Sequence, residues 1–386
     1  MAHAPAQRCA MVAGEASGDL LASLLLAAMQ QRWPALQAAG IGGAAMRAQG
    51  FDAWWSSEQL AVRGYLEVLP HLRKLLAIRR ELGDRLLRER PDIFIGIDAP
   101  DFNFGLEERL KNAGIPTVHF VSPSFWAWRA KKVEKLKRSA DHVLCIFPFE
   151  PALLARHGID ATYVGHPLAG VIPLVPDRAA ARQALGLDQD ATVVAILPGS
   201  RRSEVQQMAA RFFAAAEILL RSQGALQFVV PAVPALEAEI RRLAQATSLG
   251  PRLHIVAGQS HAVLAACDLA LVASGTATLE TALFKRPMVI AYHMNRLSWY
   301  LMRGRNLQPW IGLPNILCRD FVVPELLQDA ASPEALAAAL GRWLDQRRAD
   351  PETIADLEQR FTALHLELRR DTASLASDAI QKILGS

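Results

Sequence analysis

Two carboxylates close an apolar run in the stretch Asp98-Ala99-Pro100-Asp101-Phe102-Asn103, directly after Ile93 to Ile97. Five apolar residues in a row read as a buried strand, and acids at its carboxyl end face the crevice where parallel sheets take their ligands. A carboxylate in that place can act as a general base. It can also cap a helix ahead of Pro100. Asp98 is the preferred base.

Three further turns offer anion chemistry. Gly14-Glu15-Ala16-Ser17-Gly18-Asp19 and Pro198-Gly199-Ser200-Arg201, about 180 residues apart, each follow an apolar run and open a segment of helical period. Helices that begin in this way aim free N–H groups at a ligand, and anions are the natural occupants. Arg201 adds a fixed cation suited to a diphosphate, although surface ion pairing would use it as well. In Ser274-Gly275-Thr276-Ala277-Thr278-Leu279-Glu280 the small residues let a second helix start approach a ligand, and Glu280 can accept bonds from ribose hydroxyls. The competing use of Ser274 is a plain N-cap.

Several patterns point elsewhere and fail on context. Gly40-Ile41-Gly42-Gly43-Ala44-Ala45 matches a dinucleotide fingerprint but is not the first strand-to-helix turn, and Glu58 is the only acid near the expected distance. The Gly14 to Gly18 turn misses the nucleophile elbow of serine hydrolases by one position. Asp188-Gln189-Asp190 reads as turn chemistry rather than a metal-holding pair. The ten histidines show no metal-ligand spacing, so neither metal nor cofactor is expected.

The elements that must position these groups alternate strand and helix, the pattern of parallel sheets covered by helices. Strands are expected at 9–13, 36–41, 93–97, 117–121, 143–147 and 161–164, then at 192–197, 226–230, 253–256, 269–272 and 288–291. The fold class is therefore α/β, with two Rossmann-like domains facing a central cleft. Pro167, Pro173 and Pro176 mark a hinge, and Asp177 to Leu187 reads as a short helix. The expected domains are 1–170, 171–350 and a helical segment, 351–386, whose apolar positions need another surface to cover them.

With 386 residues, 51% hydrophobic and 21% charged, the chain is long enough for two full cores. It has no apolar run of membrane-spanning length and no signal-peptide stretch, so a cytoplasmic location is expected. Cys9, Cys145, Cys267 and Cys318 are scattered, as buried thiols in a reducing compartment are. The net charge of +4 is modest, but the basic residues cluster. Arg73, Lys74, Arg79, Arg80, Arg85 and Arg88 accompany a dense apolar face of Leu66, Val68, Leu69, Leu72, Leu75, Leu76 and Ile78. Trp126 and Trp128 precede a second run, Arg129 to Arg138. Apolar anchors beside cations suit a lipid surface. Core packing and a solvated basic face are the plainer explanations. Nothing accompanies the charge that would read nucleic acid.

The segments Ala13 to Leu21, Gly40 to Gly43, Ile97 to Asn103, Val121 to Arg129, Val164 to Leu168, Leu197 to Arg201 with Glu204-Val205, Ala273 to Glu280 and Leu313 to Asn315 together resemble the lipid-A-disaccharide synthase family over nearly the whole chain. Val121-Ser122-Pro123-Ser124-Phe125-Trp126-Ala127-Trp128 and Ile97 to Asn103, in this order, are the most specific of them. The resemblance implies a metal-independent, inverting glycosyltransferase of the B type. It would join UDP-2,3-diacylglucosamine to 2,3-diacylglucosamine 1-phosphate (lipid X), forming a β-1,6 disaccharide and UDP. It further implies Asp98 as base, Ser200, Arg201, Ser274, Gly275, Thr276, Glu280 and Asn315 around the nucleotide, and Gly14, Glu15, Ser17 and Asp19 near the sugars. A homodimer with an exchanged C-terminal segment, peripheral on the cytoplasmic face of the inner membrane, completes the expectation. Without the resemblance, the residues alone leave open a UDP-sugar 2-epimerase of the same fold or a non-enzymatic lipid-binding protein.

Overall fold

A computed structural model of the chain describes residues 8–14, 16–60, 65–124, 131–294 and 308–385, with the side chains of 16, 17, 65–72 and 131 outside that description. It divides into two compact units: Met1–Gly170 together with Glu367–Ser386, and Val171–Leu366.

The first unit is built on seven parallel strands: β1 (Arg8–Ala13), β2 (Gln37–Gly42), β3 (Asp52–Ser56), β4 (Ile93–Ile97), β5 (Thr117–Phe120), β6 (His142–Cys145) and β7 (Ala161–Tyr163). Their order is β3-β2-β1-β4-β5-β6-β7. Its helices are α1 (Ala16–Arg32), α2 (Ala44–Ala48), α3 (Tyr65–Glu89), α4 (Pro100–Asn112), α5 (Lys131–Ser139), α6 (Glu150–Ala155) and α7 (Pro167–Val171). The central strand β4 is buried at every position, as a strand covered on both faces must be. On one face Ala10, Val12 and Phe94 meet Ile78, Leu82 and Leu86 of α3 and Leu106 and Leu110 of α4.

The second unit carries α8 (Arg178–Leu185), β8 (Thr192–Leu197), α9 (Arg202–Gln223), β9 (Leu226–Ala232), α10 (Glu237–Gln245), β10 (Leu253–Ala257), α11 (Ser260–Ala266), β11 (Leu269–Ala273), α12 (Thr276–Leu283), β12 (Met288–Tyr292), α13 (Leu313–Cys318), β13 (Glu325–Leu327), α14 (Pro333–Ala349) and α15 (Pro351–Leu368). Its six parallel strands run in the order β10-β9-β8-β11-β12-β13. In α9, Val205, Met208, Ala209, Phe212, Phe213, Ala216 and Leu219 recur at three- and four-residue spacing and are buried. Each large side chain hidden in this way contributes about 1.5–3 kcal/mol. Asp177 accepts from the Ala180 N–H at 2.9 Å to start α8, and Gly186 ends it in a left-handed conformation.

The final helix, α16 (Thr372–Leu384), belongs to the first unit, where Ala376, Ala379 and Ile380 are buried and Asp378 pairs with Arg32 of α1. Two strands escaped the sequence reading, β3 and β13. Both are short edge strands, and neither Asp52-Ala53-Trp54-Trp55-Ser56 nor Glu325-Leu326-Leu327 alternates clearly. No helix among the described residues is long and apolar enough to cross a membrane.

Candidate active site at the strand ends

In both sheets the chain winds outward in opposite directions from a central pair of strands, β1 and β4 in the first and β8 and β11 in the second. Crevices for ligands form outside the carboxyl ends of strands at such switch points. The turns carrying the candidate chemistry follow those four strands. Gly14 ends β1, Asp98 follows β4, Pro198 follows β8 and Ser274 follows β11.

The Asp98 turn is strained. Asp98 and Ala99 take φ of 49° and 43°, in the left-handed region that residues with a Cβ seldom enter. Asp98 N–H donates to the Phe120 carbonyl at 2.9 Å, and the amide of Asn103 donates to the Asp98 carbonyl at 2.8 Å. Pro100 then starts α4 with its fixed φ. The half-buried Asp98 side chain thus stands on a turn with little freedom. Gly14 is part of the same fit, since a Cβ there would lie 2.8 Å from that of Ala99.

Beneath this turn lies a polar knot that sequence reasoning missed. Glu107 Oε1 meets His119 Nδ1 at 2.7 Å, both side chains fully buried. The space comes from Gly96, which pairs with His119 across β4 and β5 and whose Cβ would overlap Glu107 Oε1. Glu107 Oε2, His119 Nε2 and Asn103 Oδ1 are buried without a partner. The signal was present in part: Asn103 and Glu107 are four apart on one helix face.

Asp19 has a structural task. Its carboxylate accepts from the backbone N–H groups of Gly43 at 2.6 Å, Ala45 at 2.8 Å and Met46 at 3.3 Å, and so caps α2. Gly18 packs near Ile97 at the start of α1. Glu15 lies outside the described residues, as does the side chain of Ser17.

In the second unit Gly199 takes φ of 121°, and a Cβ there would come within 2.5 Å of Glu204. Glu204 closes a capping box: its Oε2 accepts from Ser200 N–H at 3.0 Å and Arg201 N–H at 3.2 Å, and its Oε1 pairs with Arg201 Nη1 at 3.2 Å. The Arg201 side chain remains 56% exposed, so its cation faces solvent while its root is fixed. Gly275 is the N-cap of α12, where no side chain bonds the first turn, so the alternative of a simple Ser274 cap does not hold. Gly275 and Thr276 are exposed. Glu280 lies 3.4 Å from His261 Nε2, a partner nineteen positions away that no sequence pattern announced.

Asn315 lies on α13. It is fully buried, its Nδ2 donating to the Val323 carbonyl at 2.9 Å and Glu325 Oε1 at 2.8 Å while Oδ1 accepts from Val323 N–H at 3.0 Å. Glu325, whose pKa burial raises against these bonds, also accepts from Ile311 and Gly312. Asn315 therefore ties the chain between α13 and β13.

The membrane-facing expectation falls mostly outside the described residues: Trp126 and Trp128 are not described, nor are the side chains of Leu66, Val68, Leu69 and Leu72. Of the rest, Leu75 is half-buried and Leu76 is 45% exposed, while Ile78 belongs to the core. Cys9, Cys145 and Cys267 are buried free thiols whose pKa values burial pushes up.

Two Rossmann-like units, each with small or charged residues on the turns at its switch point, define the class that holds B-type glycosyltransferases and sugar-nucleotide epimerases. Within it, the chain belongs to the lipid-A-disaccharide synthetase family, whose profile matches residues 9–380. It is 63% identical over 378 residues to the lipid-A-disaccharide synthase of Verminephrobacter eiseniae, covering 98% of this chain and 97% of that one. Among solved structures it resembles the UDP-GlcNAc 2-epimerase from Neisseria meningitidis bound to UDP-GlcNAc, with a TM-score of 0.65, 12% identity and coverage of 98% and 100%. A glycosyltransferase from Rickettsia africae gives 0.60, 11% identity and 98% of each chain. These two likenesses show the fold alone; the family separates transferase from epimerase.

Proposed function

We propose that this chain joins UDP-2,3-diacylglucosamine to 2,3-diacylglucosamine 1-phosphate, giving the β-1,6 disaccharide 1-phosphate and UDP. The observation that carries the reading is the Asp98 carboxylate on a strained turn at the switch point of the first sheet, in a chain of this family.

Asp98 takes the proton from the acceptor 6-hydroxyl as that oxygen attacks the anomeric carbon, and UDP departs from the opposite face, so the centre inverts. Negative charge grows on the departing diphosphate. Arg201 and the backbone N–H groups at the starts of α9 and α12 oppose that charge, in the electrostatic role a metal ion fills in other transferases. Glu280, with Ser274, Gly275 and Thr276, would hold the uridine and ribose, and Gly14, Glu15 and Ser17 the sugars. The acyl chains call for a lipid surface, and the basic, apolar stretch of α3 with Trp126 and Trp128 supplies a peripheral contact on the cytoplasmic face of the inner membrane. A homodimer built through the C-terminal segment belongs to the same proposal.

The test is incubation of the purified chain with both lipids in mixed micelles, followed by mass analysis. The disaccharide and stoichiometric UDP are expected. An epimerised donor, or no UDP release, would overturn the reading.

A further inference from the structure

At the amino ends of β8 and β11, opposite the candidate nucleotide turns, Asp268 is ringed by guanidinium groups. Its Oδ1 meets Arg178 Nη2 at 2.6 Å and Arg347 Nη1 at 2.7 Å. Its Oδ2 accepts from Arg182 Nη2 and from Val193 N–H, each at 2.8 Å. Arg182 is fully buried, its Nε donating to the Ala266 carbonyl and its Nη1 to the carbonyls of Asp188, Gln189 and Ala191. Three guanidinium charges therefore face one buried carboxylate, an excess of two.

Arg178, Asp268 and Arg347 border a cavity of about 130 Å³, lined also by Arg286, Trp343 and Glu358. Arg286 donates from Nε to the Leu264 carbonyl and from Nη2 to the Ala265 carbonyl, and it adds its charge. The Nε of Arg178 is buried without a partner. Burial lowers the Arg178 pKa, Asp268 opposes that, and Arg182 and Arg347 add to it. The lining thus sets three guanidinium groups, those of Arg178, Arg286 and Arg347, against the carboxylates of Asp268 and Glu358, a surplus of one positive charge beside a buried donor without an acceptor.

We propose that this cavity binds a small phosphate-class oxyanion, held by Arg178 and Arg347. The volume equals that of about four waters at about 30 Å³ each, which suits a tetrahedral oxyanion. Asp268, itself saturated, orients the guanidinium planes so that their outer edges offer paired donors to the anion. The site is separate from the nucleotide turns. Ser274 stands at the far end of β11, six residues from Asp268 and so about 20 Å away at about 3.3 Å per residue. Bound there, the anion would join α8, α14 and α15 to the amino ends of β11 and β12 in the second sheet, so its effect is on the stability of that unit.

The experiment is calorimetric titration of the full chain with inorganic phosphate against chloride at matched ionic strength, repeated with glucose 1-phosphate. Saturable phosphate binding is expected, weakened about tenfold or more in Arg347→Gln and retained in Arg201→Ala. Binding of glucose 1-phosphate as well would make a phosphate ester the ligand; its exclusion would make it the free ion. Phosphate behaving like chloride, or binding lost in Arg201→Ala and kept in Arg347→Gln, would overturn the proposal. Should Arg347→Gln not fold, Arg178→Gln is read in the same way.

Discussion

The side-chain amide of Asn103 donates to the carbonyl of Asp98 at 2.8 Å, from one turn into α4 back to the end of β4. Two successive left-handed residues, each costing about 1–2 kcal/mol, would relax without such a brace. Removing it in Asn103→Ala should let the candidate base wander. A displacement of about 1 Å costs roughly a hundredfold in rate. We expect kcat to fall by about ten- to a hundredfold with UDP affinity unchanged, and Asn103→Asp, which keeps the shape but loses the donor, to behave alike. Initial rates beside a UDP titration decide it: a wild-type kcat in both variants would refute the positioning role.

Asp98→Asn keeps the volume of the side chain and removes its basicity. The rate should drop by about two to four powers of ten, with UDP affinity and thermal midpoint close to those of the parent. Near-normal turnover in this variant would transfer the proton to another group.

The parts of this arrangement that could be read beforehand are those written in local order. Ile93 to Ile97 and Val193 to Leu197 are continuous apolar runs because each lies in the middle of a covered sheet, and the turns after them are recognisable for that reason. The partners of the turn residues are not local. Asp19 finds its amides at Gly43, Ala45 and Met46 only because β2 lies beside β1. Glu107 finds His119 only because β5 lies beside β4 and Gly96 leaves the room. Asn315 meets Val323 and Glu325 only because the chain returns from α13 to β13. A single polar letter carries no sign of whether its side chain turns to the crevice or into the protein.

Arg201 is rooted by its backbone bond to Glu204 and mostly open at its tip. Arg201→Ala should weaken UDP binding by about tenfold, within the range for one charge-assisted contact, and leave the thermal midpoint near the wild-type value. Glu204→Ala should do the converse in part, lowering stability by about 1 kcal/mol through loss of the cap. Equal UDP affinity in Arg201→Ala and the parent would remove Arg201 from the nucleotide site.

His166, at the approach to α7, is 6% exposed and burial pushes its pKa down to about 4. Its Nδ1 accepts from Leu168 N–H at 3.2 Å, a bond that needs that nitrogen unprotonated, and its own backbone N–H donates to Leu368 at 2.9 Å. Above about pH 6.5 the ring is neutral folded or unfolded, so it leaves the pH dependence flat. Below that value the unfolded chain binds a proton that the folded chain refuses until pH 4 is approached, so stability falls across this window as pH drops. Between pH 7 and pH 5 the loss from this residue alone should be about 2 kcal/mol. His166→Gln, which cannot take up the proton, should show that much less pH dependence even if its stability at pH 7 is lower. Urea midpoints for the two proteins at both pH values make the comparison, and parallel losses would mean that His166 does not govern the acid sensitivity.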